Sequence, residues 1–405
     1  MLATTSTIKA ANSRLSLLQR TCRRALSNAD DGGIYKPTLV NRRENESGIG
    51  GRGSDAGLKV AVFGASGFLG PYVCTELGSN GYMAYLANRG CELEMRHLKP
   101  MFELGRTRFV LYSPRDVESM KEVIADADVV INMIGKFYET WQPVQIDKFP
   151  YVGSQTNFTF EDANVTIPRQ IAEICKELQV DHLIHLSSAA ASPDSGSEWA
   201  KTKYEGELAI KEAFPWATII RPTQLYGVED RLFNWFPTMG QIYRCYPLIN
   251  NGEALTQPVF VGDVAKTILR VASAAERYEG KTIDCFGPSD YSYRELAEFV
   301  NDITERNYPI VSVPKEVASR LADLLQYNRV GSDKPMITPD LVELWSENYL
   351  PRMTAEEYAA QPDDADKILT MADLGITATP VEKVAFSYLH RFRLGGHFGR
   401  VDGYR

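Results

Sequence analysis

The sequence predicts an α/β protein with a doubly wound parallel sheet and a smaller, mainly helical C-terminal lobe. From Leu58 onwards, short apolar runs alternate with segments of helical periodicity, which is the pattern of a parallel sheet with helices on both faces. A glycine run follows the first apolar run directly and opens the first helical segment. A strand, a glycine loop and a helix in this order predict a Rossmann-type unit.

Each element is predicted from its local pattern. Short apolar runs bounded by polar or glycine residues predict strands, and the first contains Val60, Val62 and Phe63. Apolar residues three or four positions apart predict helices. In chain order we predict strand 58–63, helix 68–79, strand 82–87, strand 108–111, helix 117–125, strand 129–134, helix 160–178, strand 182–186, helix 201–213 and strand 217–221.

Beyond residue 226 the pattern is less regular. Strands 257–261 and 281–285, with a helix at 263–275 between them, are predicted to belong to the same sheet body. Helical periodicity dominates after residue 291, at 293–303, 316–325, 339–347 and 380–392. We therefore divide the chain into a presequence at 1–28, an extended arm at 29–57, a Rossmann domain at 58–288 and a C-terminal lobe and tail at 289–405.

Composition excludes several classes of protein. The chain has 405 residues, 44% of them hydrophobic, and a formal net charge of −8. It is long enough for a large core, and its acidity argues against a nucleic-acid partner. No run approaches the roughly 20 apolar residues of a membrane-spanning helix. The six cysteines form no C-x-x-C pair and have no histidine at ligand spacing, so no metal site is predicted.

The N-terminal residues have the composition of an import signal. This Arg-rich, acid-poor pattern favours a mitochondrial presequence, with plastid import and a merely basic terminus as the alternatives. Residues 29–57 are polar and glycine-rich, which is typical of an arm or linker. The first 28 residues contain no acidic residue and five basic ones, Lys9, Arg14, Arg20, Arg23 and Arg24.

The glycine loop predicts a dinucleotide site. In such a loop the first glycine permits a tight turn, the second lets the backbone approach a pyrophosphate, and the third lets the helix pack on the strand. The free N–H groups at the helix N-terminus then face the phosphates. The loop consists of Gly64, Ala65, Ser66, Gly67, Phe68, Leu69 and Gly70.

The end of the second strand, about 20 positions further along the chain, selects the dinucleotide. Asn88 and Arg89 occupy this place. A carboxylate there would bind the ribose hydroxyls of NAD, whereas a guanidinium pairs with a 2′-phosphate. Arg89 therefore favours NADP(H), with a solvated arginine as the alternative reading, and Arg96 is a second candidate.

Further motifs resemble the extended and atypical short-chain dehydrogenase/reductases, over about residues 58–288. In that family a Ser and a Tyr-xxx-Lys pair carry out acid–base chemistry: Tyr transfers the proton, Lys lowers its pKa and holds the ribose, and Ser orients the carbonyl. The resemblance implies cofactor contacts at the ends of the fourth, fifth and sixth strands and on the helix between the last two. These residues are Met133, Ile134, Gly135, Ser187, Lys203, Arg221 and Pro222.

The tyrosine of the catalytic pair is missing. Trp199 stands four residues before Lys203, and an indole N–H has no accessible second protonation state with which to transfer a proton. Tyr204 does not substitute, because a residue adjacent to Lys203 points about 100° away on a helix. The resemblance thus implies a chain without carbonyl reduction. Lys203 is then a ribose ligand or a surface lysine, and Ser187 or Ser188 lies beside the nicotinamide or in a turn.

A narrower set of segments resembles the NADPH-binding accessory subunits of mitochondrial respiratory complex I. They lie at 50–54, 132–140, 165–171, 226–234, 257–264 and 373–376, the last leading to Pro380. One departure is Ser113, where that family often has an aspartate near the adenine. The resemblance implies a peripheral subunit on the matrix side of the inner membrane, near the junction with the membrane arm. Such a subunit binds NADPH structurally and supports assembly.

The sequence leaves two other functions open and also predicts a basic surface at the C-terminal end. The first alternative is an active reductase or sugar-nucleotide epimerase of the extended class, and the second is a redox-sensing or RNA-associated plastid protein of the atypical class. The basic C-terminal end suits an anionic lipid such as cardiolipin, an acidic partner subunit or plain solvent. Its basic residues are Lys383, His390, Arg391, Arg393, His397, Arg400 and Arg405.

Overall fold

A computed structural model describes residues 57–90, 92–143, 154–325, 335, 337–361 and 367–393. These residues contain the strands β1 (Lys59–Phe63), β2 (Met83–Asn88), β3 (Thr107–Leu111), β4 (Val129–Asn132), β5 (His182–Leu186), β6 (Thr218–Pro222), β7 (Thr282–Cys285) and β8 (Leu369–Thr370). The eight strands form one parallel sheet in the order β3-β2-β1-β4-β5-β6-β7-β8. The predicted presequence, and the arm up to residue 56, lie outside the described residues.

The longer described helices either connect and cover these strands or belong to the C-terminal lobe. They are α1 (Gly70–Ser79), α2 (Val117–Ile124), α3 (Ile167–Glu177), α4 (Glu198–Ala213), α5 (Trp235–Tyr243), α6 (Val261–Ser273), α7 (Tyr293–Thr304), α8 (Lys315–Leu325), α9 (Pro339–Ser346) and α10 (Val381–Leu389). Shorter helical segments are Glu92–Met95, Arg96–Met101, Asp162–Thr166, Asn250–Gly252, Ala275–Tyr278, Ala355–Ala360 and His390–Phe392.

Both faces of the sheet are buried, which confirms the predicted Rossmann-type, doubly wound fold. Successive residues of β1 point to opposite faces, so Val60 and Val62 lie in one apolar cluster and Ala61 and Phe63 lie in another. The first cluster includes residues of α1 and α6, and the second includes residues of α2 and α3. Strands buried on both faces read as continuous apolar runs, which is why the sequence reveals them.

The sheet order places a ligand-binding crevice at β1 and β4. The chain builds outward from β1 through β2 to β3 and then resumes on the other side of β1 with β4. Dinucleotides bind at such a switch point, outside the carboxyl ends of the strands. The glycine loop follows β1, and Met133 follows β4, so both lie at this crevice.

Two predicted elements differ from the structure by more than a shift of their bounds. The predicted strand 257–261 is reduced to Val259–Phe260, which pairs with Leu225–Tyr226 outside the main sheet. Helix α6 begins at Val261 and takes over the rest of that segment. The predicted helix 160–178 begins as the π-helical turn Asp162–Thr166, and regular α-helix starts only at α3, where Pro168 suits the first turn.

The C-terminal lobe has its own apolar core, drawn from both sides of the predicted division at residue 288. Tyr226, Phe236 and Tyr246 pack there with Tyr293 and Trp345. Parallel strands Tyr246–Ile249 and Ile310–Val313 and antiparallel strands Leu255–Thr256 and Tyr291–Ser292 complete the lobe. Conversely, β8 lies beyond residue 288 and pairs with β7 in the main sheet. The packing therefore interleaves the two predicted domains.

A further antiparallel pair, Thr140–Pro143 with Ser154–Phe158, lies apart from the main sheet. It follows β4 in the chain and ends at Phe158. This position brings Phe158 to the cavity described below.

Candidate functional site

The glycine loop has the close packing that its sequence predicts. Gly64 has a φ of +84°, and a Cβ there would lie 2.9 Å from the carbonyl carbon and oxygen of Met133. A Cβ on Gly70 would overlap the carbonyl oxygen of Ala65. Gly67 donates its N–H to the carbonyl of Gly64 at 3.0 Å, which closes the turn. The first and third glycines therefore cannot carry a side chain without movement of the backbone.

Two side chains of the loop are buried in the core. Ala65 and Leu69 are buried, Ser66 is exposed and Phe68 is half-buried. Within the described residues no side chain caps the N-terminus of α1. Gly70 and Val73 donate their N–H groups to the carbonyls of Gly67 and Leu69, and Pro71 has no N–H, which among the first four helical residues leaves the N–H of Tyr72 for an anion.

Asn88 and Arg89 lie at the carboxyl end of β2 as predicted. The buried Asn88 side chain accepts from the N–H of Gly90 and donates to its carbonyl, both at 3.1 Å, and so fixes the turn. Arg89 is exposed and lines a cavity with Tyr112 and Phe158. Arg89 thus follows β2, which is the sheet neighbour of β1, and the glycine loop follows β1.

Two basic residues that the sequence analysis did not assign to the site lie close to Arg89. Arg115, after β3, lines the same cavity, and its Cζ lies 4.8 Å from the centre of the Phe158 ring. Lys136, after β4, has its Nζ 5.5 Å from the centre of that ring. Burial, together with the charge of Arg89, lowers the pKa of Lys136 to about 8. We call Arg89, Arg115 and Lys136 the cation cluster. Its sequence signal is a basic residue after each of the strands β2, β3 and β4.

The segment after β4 lies against both the glycine loop and Lys203. Ile134 donates its N–H to the Asn132 side chain at 3.0 Å, and Met133 donates its N–H to Phe63. A Cβ on Gly135 would lie 3.1 Å from Lys203 Nζ, so the ammonium group is directly beside this glycine. Met133, Ile134 and Gly135 therefore form one wall of the crevice.

Lys203 is buried rather than on the surface. Its residue is 4% exposed, and Nζ donates to the carbonyl of Leu186 at 3.4 Å. Burial lowers the pKa of Lys203 to about 8, and the carboxylate of Glu207 opposes that shift. The structure thus sets aside the surface-lysine alternative and places the ammonium between the ends of β4 and β5.

Trp199 is part of the packing between the two lobes. It is 3% exposed, packs with Phe160 and Leu344, and stacks on Phe137 with ring centres 4.9 Å apart. Its backbone N–H donates to Asp340 at the start of α9. Within the described residues the indole Nε1 has no hydrogen-bond partner. The side chain four residues before Lys203 therefore makes apolar contacts and has no ionisable group.

The serines after β5 have different environments. Ser187 is buried, and its hydroxyl has no hydrogen-bond partner among the described residues. Ser188 forms a hydrogen bond with the hydroxyl of Tyr349 at 2.5 Å. Tyr349 was not anticipated from the sequence, because it comes from the C-terminal lobe. Burial raises its pKa to about 12, which opposes ionisation near neutral pH.

Arg221, for which a cofactor contact is predicted, forms a buried ion pair in this structure. Its guanidinium forms a two-point ion pair with Glu207 at 2.9 and 2.5 Å, and both side chains are almost fully buried. Tyr358 donates to the neighbouring Asp284, which also interacts with Arg221. The ion pair thus links α4 to β6. Pro222 ends β6, where its carbonyl accepts from the N–H of Ala189.

Two other kinds of site are absent from the described residues. No described helix has both the length and the apolar character needed to cross a membrane. Within the same residues, no group of three or more His, Cys, Asp or Glu side chains could hold a metal ion.

Known proteins share both the sequence and the fold. Residues 60–285 match the NAD dependent epimerase/dehydratase family. The chain is 34% identical to "NADH dehydrogenase [ubiquinone] 1 alpha subcomplex subunit 9, mitochondrial" of Arabidopsis thaliana, over 92% of this chain and 88% of the relative. The Mus musculus protein of the same name is 33% identical, over 85% and 83%.

A solved structure shows the same fold. The dTDP-glucose 4,6-dehydratase DesIV of Streptomyces venezuelae, solved with NAD and TYD, has a TM-score of 0.58 and 15% identity, over 83% of this chain and 96% of that one. The sequence relatives confirm the narrower resemblance predicted above. The chain belongs to the NAD dependent epimerase/dehydratase family and, within it, to the family of alpha subcomplex subunit 9 of mitochondrial NADH dehydrogenase.

Proposed function

We propose that this chain is a mitochondrial accessory subunit of complex I that binds NADPH as a structural cofactor and does not turn it over. The names of its relatives support the complex and the compartment. The observation that carries the cofactor is the position of Arg89, which ends β2 beside a glycine loop too closely packed for side chains at Gly64 and Gly70. A guanidinium at this place pairs with a 2′-phosphate.

The proposal of a cofactor without turnover is supported by Trp199 and Lys203. Lys203 is positioned to hold the ribose, since its ammonium lies between the ends of β4 and β5. The proton donor that this lysine would activate is replaced by the buried indole of Trp199. A bound dinucleotide then contributes stability instead of chemistry, about 2.7 kcal/mol when its free concentration is 100 times Kd.

We also propose a location for the subunit. It lies on the matrix side of the inner membrane, near the junction of the matrix arm with the membrane arm, and contacts other subunits there. Arg391 donates to Asn234, and Arg393 pairs with Glu305, so these two basic residues are used within the lobe. We therefore propose that cardiolipin is bound by Lys383 together with His397, Arg400 and Arg405. These last three residues lie outside the described residues.

We expect Arg89→Ala to lower NADPH affinity about 10- to 100-fold and to leave NADH affinity nearly unchanged, because a charged hydrogen bond to the 2′-phosphate contributes roughly 1.5–3 kcal/mol. Equilibrium titration of the purified full-length chain measures both affinities. In cells, the variant should also reduce assembly of complex I on native gels, while any complex that forms keeps its electron transfer.

Arg108→Ala is the matched control. Arg108 is an exposed arginine of β3 whose partner is Glu122 at 3.7 Å, and it does not line the cavity. Its removal should leave both affinities at the wild-type value. Wild-type retention of NADPH by Arg89→Ala would refute the assigned role of Arg89.

A second function, an active NADP-dependent reductase or epimerase, is favoured by one observation. The hydroxyl groups of Ser188 and Tyr349 are hydrogen-bonded to each other. Ser188 follows β5, the strand whose end carries the catalytic serine in this family. The test incubates the purified chain with NADPH and carbonyl substrates and follows nicotinamide absorbance. Turnover abolished by both Lys203→Ala and Tyr349→Phe would establish this second function.

A further inference from the structure

The charge of Arg231 is not balanced by any residue that the structure describes. Arg231 is exposed and lies in the segment between β6 and α5. Its Cζ lies 5.9 Å from the centre of the Phe137 ring and 5.5 Å from that of the Tyr138 ring, within the range of cation–π attraction. No described carboxylate pairs with its guanidinium, whose N–H groups are thus available to an acceptor from elsewhere.

The Phe137 ring beside Arg231 is held by the packing beneath it. Phe137 is 48% exposed and stacks on the buried Trp199, with ring centres 4.9 Å apart. Trp199 in turn packs with Phe160 and Leu344. An indole, a phenyl ring and a guanidinium thus follow one another from the interior to the surface, so the outer two are supported by the core.

The backbone that carries Arg231 is fixed by its neighbours on both sides. Asp230 is buried and accepts from the N–H of Asn234 and from the hydroxyl of Tyr388, both at 2.9 Å. Leu232, the next residue along the chain, is buried in the core of the C-terminal lobe. A side chain presented in this way loses less conformational freedom when it binds a partner.

The partner that fits these residues is a polypeptide with a carboxylate side chain. A guanidinium pairs with a carboxylate at two points, as Arg221 does with Glu207 in the interior of this chain. The exposed ring of Phe137 favours a polypeptide over a free anion, because its burial requires apolar atoms as well. Arginine and aromatic side chains are also the residues that contribute most binding energy at protein interfaces.

We propose that Arg231, with the rings of Phe137 and Tyr138, is the docking point for an acidic side chain of a neighbouring subunit of complex I. This inference rests on the proposed function only in that the chain is a subunit of that complex, and it does not depend on the cofactor. Gly135, two residues before Phe137, belongs to the crevice wall beside Lys203. The docked segment therefore lies next to the crevice.

The test replaces the chain in cells with full-length variants and measures the share of each found in complex I on native gels. We expect Arg231→Met to weaken the association about 10- to 100-fold, the loss typical of a charged hydrogen bond, and so to lower this share. The NADPH affinity and the urea midpoint of the purified variant should equal those of the wild type, because the guanidinium has no partner within the described residues. Arg231→Lys keeps the charge and should restore part of the assembly.

Arg231→Lys also tests the carboxylate directly in the assembled complex. A carbodiimide joins a lysine amine to a carboxylate in contact with it, with loss of water, and mass spectrometry identifies the joined peptides. We expect a link from position 231 to an aspartate or glutamate of another subunit.

Arg270 provides the matched control. It is an exposed arginine of α6 that has neither a carboxylate partner nor an aromatic ring beside it in the described part of the chain. Arg270→Met should assemble as the wild type does, and Arg270→Lys should give no link to another subunit.

Wild-type assembly of Arg231→Met would refute the docking point, and so would Arg231→Lys complexes whose position 231 is linked to this chain alone or not at all. A selective loss of NADPH affinity in Arg231→Met would assign the arginine to the dinucleotide and refute it as well. In each of these cases the proposed function stands. If the wild-type chain itself is absent from complex I, the proposed function fails.

Discussion

Gly70→Ala is expected to abolish nucleotide binding and to lower the free energy of unfolding by about 3 kcal/mol, the upper end for overpacking a tight site. A Cβ at Gly70 would overlap the carbonyl oxygen of Ala65 and lie 2.7 Å from its Cα, and these backbone atoms belong to the glycine loop. Relief of the overlap must separate α1 from the loop and so distort the pyrophosphate site. Urea denaturation of the nucleotide-free chain and NADPH titration measure the two effects.

The control for this variant is Gly196→Ala. A Cβ there meets only the carboxylate of Glu343, at 3.1 Å, and a side chain end can move where a backbone cannot. We expect a change of less than about 1 kcal/mol and unchanged nucleotide affinity. Wild-type stability and NADPH binding in Gly70→Ala would show that α1 and the loop do not pack as described.

The second large effect is expected for Arg221→Met. Removal of one partner of a buried ion pair leaves an uncompensated charge and typically costs about 3–5 kcal/mol. Glu207 is 2% exposed, and Asp284, which also interacts with Arg221, is buried as well, so two carboxylates lose their cation. The double variant Arg221→Met with Glu207→Met should recover part of the loss. Urea denaturation of the four proteins provides the double-mutant cycle.

Arg169→Met is the control for the buried pair. Arg169 and Glu173 form an exposed pair one helical turn apart, at 3.1 Å, and such pairs contribute about 0.3–0.5 kcal/mol. A loss of NADPH affinity in Arg221→Met without a change in unfolding free energy would contradict the structural role of the ion pair and support the cofactor role that the sequence predicts for this arginine.

Local sequence patterns are sufficient to predict the Rossmann half of the fold. Strand β5 has its predicted bounds, and the other predicted strands of the main sheet differ by no more than two residues at either end. Each is a buried apolar run, so its signal does not depend on distant residues. The predicted strand 257–261 was wrong in extent because pairing is limited to Val259–Phe260 and its last residue, Val261, begins an amphipathic helix. A short apolar run fits either structure.

The interleaving of the lobes could not be predicted in the same way. Strand β8 has two residues, too few for any periodicity, and it joins the sheet only by pairing with β7. The core of the C-terminal lobe likewise brings Tyr226 and Phe236 together with Trp345. These contacts join segments far apart in the chain, and a local pattern contains no information about them.

Within the site, residues of one loop were predictable and residues shared between elements were not. The role of each glycine in 64–70 follows from the strand before it and the helix after it. The ion pair of Arg221 was not predicted, because its partner Glu207 lies on another element. Arg115 and Lys136 were missed because their proximity to Arg89 depends on the strand order, which brings the ends of β2, β3 and β4 near one another.

The measurement that tests the central claim most directly is the identity and oxidation state of the retained nucleotide. The purified full-length chain is incubated with equal concentrations of NADPH and NADH in the presence of carbonyl substrates, separated from free nucleotide and denatured. The account predicts release of stoichiometric NADPH, still reduced. Release of NADH, of oxidised nucleotide or of none at all would contradict it.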